Sequence, residues 1–314
     1  MIPSQEYSEL ILSAARIYVA NGEHKRAKTL LGRLLESSDI KQNIIIADSD
    51  HLLGNIYFQQ GQYLQAEKYY LQSYNLRIKI LGKQHSDAAN SGEAIARLYS
   101  NWGLFEKSEK WYLNTKNLLK DIYGINHVLF AHTLNGLANL YIKMQRFQEA
   151  EDYYNEAIKI LTKQSDPYPY FTDSQHGLAN LYIRKKEYQK AEELHKYAID
   201  LIESKEGAEH HRLITHWASL AVVYCFQYKV KQAINLYRKC INQSIKIYGN
   251  DHPFVGIYRS DLAWIFSKNC HYQKRALILF KSSIGILMKT CTENHPSLIN
   301  AKNGLKNILE ITKK

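Results

Sequence analysis

The chain has 314 residues and a net charge of +11; 45% of its residues are apolar, 23% are charged, and only 15 are glycine and 5 proline. So few helix breakers predict a nearly all-helical protein. The sequence has no apolar run long enough to cross a bilayer, and its start lacks the positive region of a secretion signal. The four cysteines include no Cys-x-x-Cys pair. We therefore expect reduced thiols in a cytosolic compartment, with neither a disulfide framework nor a zinc site.

An aromatic residue recurs along the chain at a nearly fixed period. The series is Tyr18, Tyr57, Tyr99, Tyr141, Tyr182, Tyr224 and Phe266. A small residue lies three positions before each member, and another lies nine positions after each of the first six. After Phe266 the second small residue, Ala276, comes ten positions later, which predicts one inserted residue in the turn around 269–271. A period of this length indicates an array of one repeated supersecondary unit.

Residues 134–161 show how one unit is built. Leu134, Leu137, Ala138 and Tyr141 follow the i, i+3, i+4, i+7 spacing of one helix face, and a second such face begins at 147. The small side chain of Ala138, like that of the later alanine at 150, lets two helices approach closely. One pair cannot bury both of its apolar faces, so neighbouring pairs must stack.

These residues resemble the tetratricopeptide repeat family, with Leu-Gly/Ala-x-x-Tyr in the first helix and Ala-x-x-x-Tyr/Phe-x-x-Ala in the second. The period exceeds the usual one by about eight residues, or about one turn for each helix. Long units joined by Gly-x-x-His-Pro, as at 249–253, resemble the kinesin-light-chain subgroup. The resemblance implies an all-α fold, a right-handed α-α solenoid (superhelix) of about seven helix pairs. We expect a single domain over 1–314, with repeats at 7–40, 48–80, 88–121, 130–163, 172–204, 213–247 and 255–290 and a capping helix at 296–311.

Histidines recur in the connections between units. They are His85, His127, His210 or His211, His252 and His295, with 166–169 taking the corresponding place in the fourth connection. Stacking would place them in a row, at least about 8 to 10 Å apart, too far to share one metal ion. We predict that they fix the entry of the next helix.

The sequence contains none of the common catalytic or phosphate-binding motifs, and its carboxylate pairs flank the small residue of a second helix, where a solvated face is the simpler interpretation. We therefore expect no enzyme activity, no cofactor, no metal and no small-molecule substrate. A catalytic site assembled from several repeats is the alternative that the sequence leaves open.

The resemblance implies that residues two before, two after and six before the first-helix aromatic line a concave groove. The candidates are Asn55, Gln59, Arg97, Asn101, Asn135, Asn139, Lys143, His176, Asn180 and Arg184. Asparagine is a poor helix former, so its recurrence favours hydrogen bonds to the backbone of a bound peptide, with contacts between helices or to water as the alternative. Trp217, Val222 and Phe226 make one later helix more apolar, suited to packing or to an apolar anchor.

Charge is concentrated in the last third of the chain. Residues 225–314 hold 15 lysines and arginines against 4 acidic residues, whereas residues 1–224 are balanced. The candidate basic surface comprises Lys229, Lys231, Lys239, Lys274, Arg275 and Lys281. Such a surface attracts an acidic protein, an anionic membrane or nucleic acid, and it also keeps an array soluble.

The leading functional hypothesis is a cytoplasmic scaffold or adaptor that binds a peptide or partner protein in the groove, an acidic one being suited to Lys143 and Arg184. A regulatory sensor whose ligand controls an effector is one alternative. Binding of an anionic partner by the basic third is another, in which nucleic acid and membrane rank below protein because neither base-reading residues nor a membrane-anchoring helix is evident. If the chain is an injected bacterial protein, the host cytosol is the expected location.

Overall fold

The computed structural model describes residues 5–20, 22–36, 43–164, 170–291, 293 and 295–311. Within these ranges the chain forms fifteen α-helices and one 3-10 turn, with helices paired as predicted. The helices are α1 (Gln5–Ala20), α2 (His24–Glu36), α3 (Asn43–Gln59), α4 (Tyr63–Leu81), α5 (Ser86–Trp102), α6 (Phe105–Tyr123), α7 (Val128–Lys143), α8 (Phe147–Leu161), α9 (Tyr170–Arg184), α10 (Tyr188–Glu206), α11 (Arg212–Phe226), α12 (Val230–Tyr248), α13 (Pro253–Ser267), α14 (Gln273–Thr290) and α15 (Pro296–Ile311).

The predicted all-α, helical-repeat fold is confirmed, and α15 coincides with the predicted capping helix. Helix α3 starts at Asn43, five residues before the predicted second repeat, because the apolar run that includes Ile45 and Ala47 extends its buried face. The connection at 166–169 lies outside the described residues. No described helix is both long enough and apolar enough to span a bilayer.

The aromatic series marks the turn between the two helices of each repeat. The backbone N–H five residues after the aromatic donates to the aromatic residue's carbonyl, as in the bond from Gln62 N to Tyr57 O (2.9 Å) and that from Lys229 N to Tyr224 O (2.8 Å). The residue before that N–H has a positive φ, which glycine adopts at low cost, as Gly103 does (+85°). Three later repeats place other residues there, namely Gln145 (+62°), Lys186 (+62°) and Tyr228 (+60°).

The seventh repeat departs from this turn. Its extra residue is accommodated by a 3-10 turn, Cys270–Tyr272, which begins where the side chain of Asn269 accepts a hydrogen bond from His271 N (3.0 Å). The predicted insertion is therefore confirmed.

The sequence predicts that the histidines in all five of these connections fix the entry of the next helix, and four of them cap a helix start. The Nδ1 atom of His85, His127, His252 and His295 accepts a hydrogen bond from the backbone N–H two residues later, at 3.1 to 3.2 Å. This contact satisfies one of the unpaired N–H groups of the first turn. His211 precedes α11 without such a bond.

The chain divides into two compact units, residues 1–174 and 175–314, with the boundary inside α9. In the first unit, small residues at the helix crossings are completely buried, including Ala96, Ala138 and Ala150. In the second unit Ala191, Ala221 and Ala233 are buried in the same way, and α15 contributes Leu298 and Ala301 to a core cluster with Leu287. The single domain over 1–314 and the right-handed course of the whole array stay predictions.

Candidate functional site

Two open clefts in the first unit, here called the polar clefts, are lined by the first helices of successive repeats. One contains Arg16, Asp48, His51 and Asn55, and the other contains Glu93, Arg97, His132 and Tyr170. Arg16, Asn55 and Arg97 occupy the position two before the aromatic. Three first helices therefore present that position to open space.

Each polar cleft contains a paired carboxylate. Asp48 Oδ1 accepts a hydrogen bond from Arg77 Nη2 at 2.6 Å, and the Arg77 side chain is only 5% exposed. Glu93 Oε1 lies 2.8 Å from His132 Nδ1. Burial disfavours the charged imidazole, but the hydrogen bond and charge of Glu93 outweigh burial and raise the pKa of His132. In the other cleft, burial and the charges of nearby arginines lower the pKa of His51 to about 3.

Two of the predicted asparagines contact the second helix of their own repeat. Tyr70 donates its hydroxyl hydrogen to Asn55 Oδ1 (2.7 Å), and Tyr154 donates to Asn139 Oδ1 (2.8 Å). These bonds are the interhelical alternative that the sequence left open. Asn139 is nevertheless exposed, and the bond to the tyrosine uses only its amide oxygen, so the amide nitrogen can donate to a ligand carbonyl. The two interpretations are therefore compatible.

The other groove candidates of the first unit have mixed environments. Lys143 Nζ donates to Asn101 Oδ1 (3.2 Å), and both side chains are exposed. Gln59 is exposed, and its Oε1 lies 2.7 Å from His24 Nε2. Asn135 is buried, and its Nδ2 donates to Ser174 Oγ (2.8 Å), so this amide supports the packing of α7 against the start of α9. In the second unit Arg184 is exposed.

A third cleft, of about 540 Å³ and here called the apolar cleft, lies in the second unit. Its lining includes Val222 and Trp264, which again stand two before the aromatic, together with Phe226, Tyr228 and Tyr237. Phe226 is 50% exposed and Tyr228 is 90% exposed. Large exposed apolar side chains around one cleft are typical of a binding surface.

Two features of the apolar cleft lower the free energy of unfolding. Tyr228 holds a positive φ that non-glycine residues rarely adopt. Asp261 also lines the cleft, and burial raises the pKa of its carboxyl group to about 6. A rare backbone conformation and a raised carboxyl pKa both tend to occur at functional sites.

Three histidines come together in the second unit, one from each of α9, α10 and α11. We call His176, His195 and His216 the histidine cluster; one ring nitrogen of each lies within 4.8 Å of the other two. Burial is the main cause that lowers the pKa of His195 to about 2 and that of His216 to about 3, so both imidazoles are neutral at ordinary pH. Asn180, a groove candidate, contacts His176 Nε2 through its side-chain amide at 2.9 Å.

The sequence prediction placed His176 in the groove and did not identify the other two members. A signal was present, because His195 stands where the three preceding repeats have Tyr70, Tyr112 and Tyr154. Likewise, His216 stands where they have Ser91, Thr133 and Ser174.

The six residues of the candidate basic surface are all exposed. Lys229 Nζ donates to Glu192 at 2.8 Å, so part of its charge is compensated. Lys239 Nζ lies 5.4 Å from the centre of the Trp217 ring, and the Arg275 guanidinium lies 5.5 Å from that of Tyr272. Lys231, Lys274 and Lys281 extend from α12 and α14.

The sequence profile of the tetratricopeptide repeat family matches residues 45–113, 103–163 and 171–242. No curated protein sequence matches the chain significantly.

Several solved structures have a similar fold. A structure of kinesin light chain TPR-like repeats from Podosopora anserina is 22% identical, covers 66% of this chain and 98% of its own, and has a TM-score of 0.51. BtubC (BKLC) from P. vanneervenii is 19% identical over 77% of this chain and 92% of its own, with a TM-score of 0.55. A Rap protein complexed with Competence and Sporulation Factor is 13% identical over 99% of each chain, with a TM-score of 0.60. These likenesses confirm the predicted repeat type and concern the fold alone.

Proposed function

Because the chain belongs to the tetratricopeptide repeat family, we propose that it is a non-catalytic scaffold that binds a peptide or partner protein on the exposed side chains of its first helices. A cytoplasmic location is part of the proposal. Tetratricopeptide repeats are interaction modules, and function in such folds depends on the side chains presented by a shared frame.

One observation carries the proposal. The residue two before the aromatic lines an open cleft in five of the seven repeats, as Arg16, Asn55, Arg97, Val222 and Trp264. The lining is polar in the first unit and apolar in the second. The clefts of the first unit suit a polar segment of a partner, and the cleft of the second unit suits an apolar side chain. The Rap protein complexed with Competence and Sporulation Factor is a relative in fold that holds a ligand.

The test is capture of partners from the native cell by the purified chain, read out by quantitative mass spectrometry. The variant Arg97→Ala with Asn139→Ala removes two neighbouring first-helix side chains. The matched control, Arg33→Ala with Asn155→Ala, removes the same residue types from exposed positions on second helices. We expect the first variant to capture a specific partner at least about tenfold less than the wild type does, because it loses two interface contacts of about 1 kcal/mol each.

Far-UV circular dichroism of both variants checks that the helices are intact. Equal capture by the wild type, the groove variant and the control would show that the first helices do not form the binding surface.

A second candidate function rests on the excess of basic residues after residue 224, which includes the six exposed residues of the candidate basic surface. An acidic protein bound there would dissociate as salt rises, because exposed charges are screened over about 8 Å at physiological ionic strength. Replacing Lys231, Lys274 and Lys281 by glutamine should abolish capture of such a partner at low salt, while Arg97→Ala with Asn139→Ala should not. Capture unchanged by the lysine substitutions would remove this candidate.

A further inference from the structure

The histidine cluster occupies three positions that also meet in earlier repeats. They are the residue six before the first-helix aromatic, a residue of the following second helix, and the residue eight before the aromatic of the next repeat. The second to fourth repeats fill these positions with His51, Tyr70 and Ser91; Glu93, Tyr112 and Thr133; and Asn135, Tyr154 and Ser174. The fifth repeat fills all three with histidine.

Contacts in the first unit show that these positions face one another without a set of three histidines. Asn135 Nδ2 lies 2.8 Å from Ser174 Oγ, and Thr133 Oγ1 lies 3.5 Å from Glu93 Oε2. The ring of His51 lies 5.4 Å from that of Tyr70, centre to centre. The fold therefore packs well with a tyrosine and a small hydroxyl residue at two of the three positions, and packing alone does not call for three imidazoles.

The imidazoles in the fifth repeat are arranged around a common point. Their ring centres are separated by 5.3 to 5.6 Å, and the rings are tilted by 61° to 79° from one another, so they do not stack. His195 Nδ1 and His216 Nδ1 are 3.3 Å apart. Two nitrogens that each lie about 2.1 Å from one tetrahedral metal ion are about 3.4 Å apart. The third nitrogen lies within 4.8 Å, a distance that rotation of the half-buried His176 ring about its broad terminal torsion can shorten.

The surroundings of the histidine cluster are consistent with a bound metal ion. His195 is completely buried, and its Nε2 has no hydrogen-bond partner among the described residues. A buried polar atom without a partner is costly, so this imidazole does not satisfy the packing of the core better than the tyrosine found at its position in the earlier repeats. Asn180 Nδ2 faces His176 Nε2; with the amide turned by about 180°, its Oδ1 would accept a hydrogen bond from Nε2–H, which would fix the ring and leave Nδ1 as a ligand.

We propose that His176, His195 and His216 form a binding site for one divalent transition metal ion, with zinc as the expected ion. Neutral imidazoles are common ligands of zinc, copper, nickel and iron, whereas magnesium and calcium require oxygen ligands. Three histidines leave a fourth tetrahedral position for water or for a donor group of a bound partner. The half-buried His176 provides the access from solvent.

The experiment uses the full chain without a polyhistidine tag, first stripped of metal with a chelator and then titrated with zinc by calorimetry. Cobalt(II) serves as the spectroscopic probe, because its visible absorption reports a tetrahedral nitrogen site. The variants restore residues found in the other repeats, namely His176→Asn, His195→Tyr and His216→Ser, and the last two are also combined. His252→Asn is the matched control, because it removes an imidazole from a helix start while keeping a residue that can cap the helix.

We expect one zinc ion per wild-type chain, an intense tetrahedral cobalt spectrum, and a melting temperature that rises with zinc. Each single variant should weaken zinc binding by at least about 100-fold, and the control should bind as the wild type does. Circular dichroism identifies any variant that fails to fold, and His176→Asn, at the most exposed position of the three, is the variant that disturbs packing least. Zinc binding that persists in the folded His195→Tyr, His216→Ser double variant would overturn the proposal, as would its absence from the wild type. Because the partner-capture variants lie in the first unit, the two tests fail independently.

Discussion

The polar clefts of the first unit and the apolar cleft of the second are built on the same repeat. They differ in whether their polar side chains have hydrogen-bond or ion-pair partners. In the first unit Asp48 is paired with Arg77, and Asn139 is held by Tyr154. In the second unit Val222 takes the place of such an asparagine, and Asp261 has no ion pair among the described contacts.

This difference shows that the residues that set the frame and the residues that line the clefts can vary separately. The repeats of both units share the aromatic at the turn and the buried small residue at the crossing. The position two before the aromatic is then open to asparagine, arginine, valine or tryptophan without loss of the fold. Stability changes caused by substitutions at the clefts of the two units test this difference.

The largest effect is expected at the paired carboxylate of the first unit. Asp48→Asn leaves the buried Arg77 without its anionic partner, and we expect the free energy of unfolding to fall by about 3 kcal/mol. Urea unfolding at pH 7 measures the change. Glu23→Gln, which breaks the exposed pair with Arg26, is the control and should cost less than about 0.5 kcal/mol. Equal effects of the two substitutions would contradict the distinction between buried and exposed pairs.

Asp261→Asn should have the opposite sign. With its pKa raised to about 6, the Asp261 carboxyl group binds its proton more tightly in the folded chain than in the unfolded chain. The stability of the wild type should therefore fall as pH rises from about 4 to about 6, by about 2 kcal/mol, whereas the variant lacks this loss. Urea unfolding at several pH values from 4 to 8 gives the comparison.

Asp251→Asn, at an exposed carboxylate that pairs with Lys289, is the control for this pH series. A variant at 261 that is less stable than the wild type at pH 7.5 would show that the carboxylate has a stabilising partner.

The hydroxyl groups of corresponding tyrosines should contribute differently to the free energy of unfolding in the two units. Tyr154→Phe removes the hydrogen bond to Asn139 and should cost about 1 kcal/mol of unfolding free energy. Tyr237→Phe, at the same repeat position in the second unit, should change it by less than about 0.5 kcal/mol, because Val222 offers no acceptor. Thermal or urea unfolding of the two variants under one condition decides the matter, and equal costs would contradict the comparison.

The smallest effect is expected at the turn of the apolar cleft. Tyr228→Gly relieves the positive φ and should raise the unfolding free energy by up to about 1 kcal/mol, less the entropy that a glycine adds to the unfolded chain. Gly103→Ala, at the same turn position in the first unit, should lower it by a similar amount. If Tyr228 contacts a partner, Tyr228→Gly should also reduce capture while stabilising the chain. A stabilised variant with full capture would restrict the role of Tyr228 to the turn.

The fold was predictable because its determinants are local and repeated. The aromatic series from Tyr18 to Phe266 locates the seven helix pairs, the spacing of ten after Phe266 locates the insertion, and the histidines before helices locate four helix starts. The candidate site was less predictable because it depends on contacts between helices. No local pattern indicates that Asn135 is buried against Ser174. Alignment of the repeats marks His195 and His216 as unusual, but only the packing of α9, α10 and α11 shows that they meet His176.

Because successive repeats begin with the same helix start, whole repeats can be added to the chain or removed from it. His85 and His127 begin their helices with the same side-chain contact, 42 residues apart, so the segment between them starts and ends in equivalent backbone geometry. Such a segment can be removed or duplicated with both junctions preserved. Because each copy adds one residue at the position two before the aromatic, gain or loss of a copy would change by one the number of side chains that the chain presents at that position.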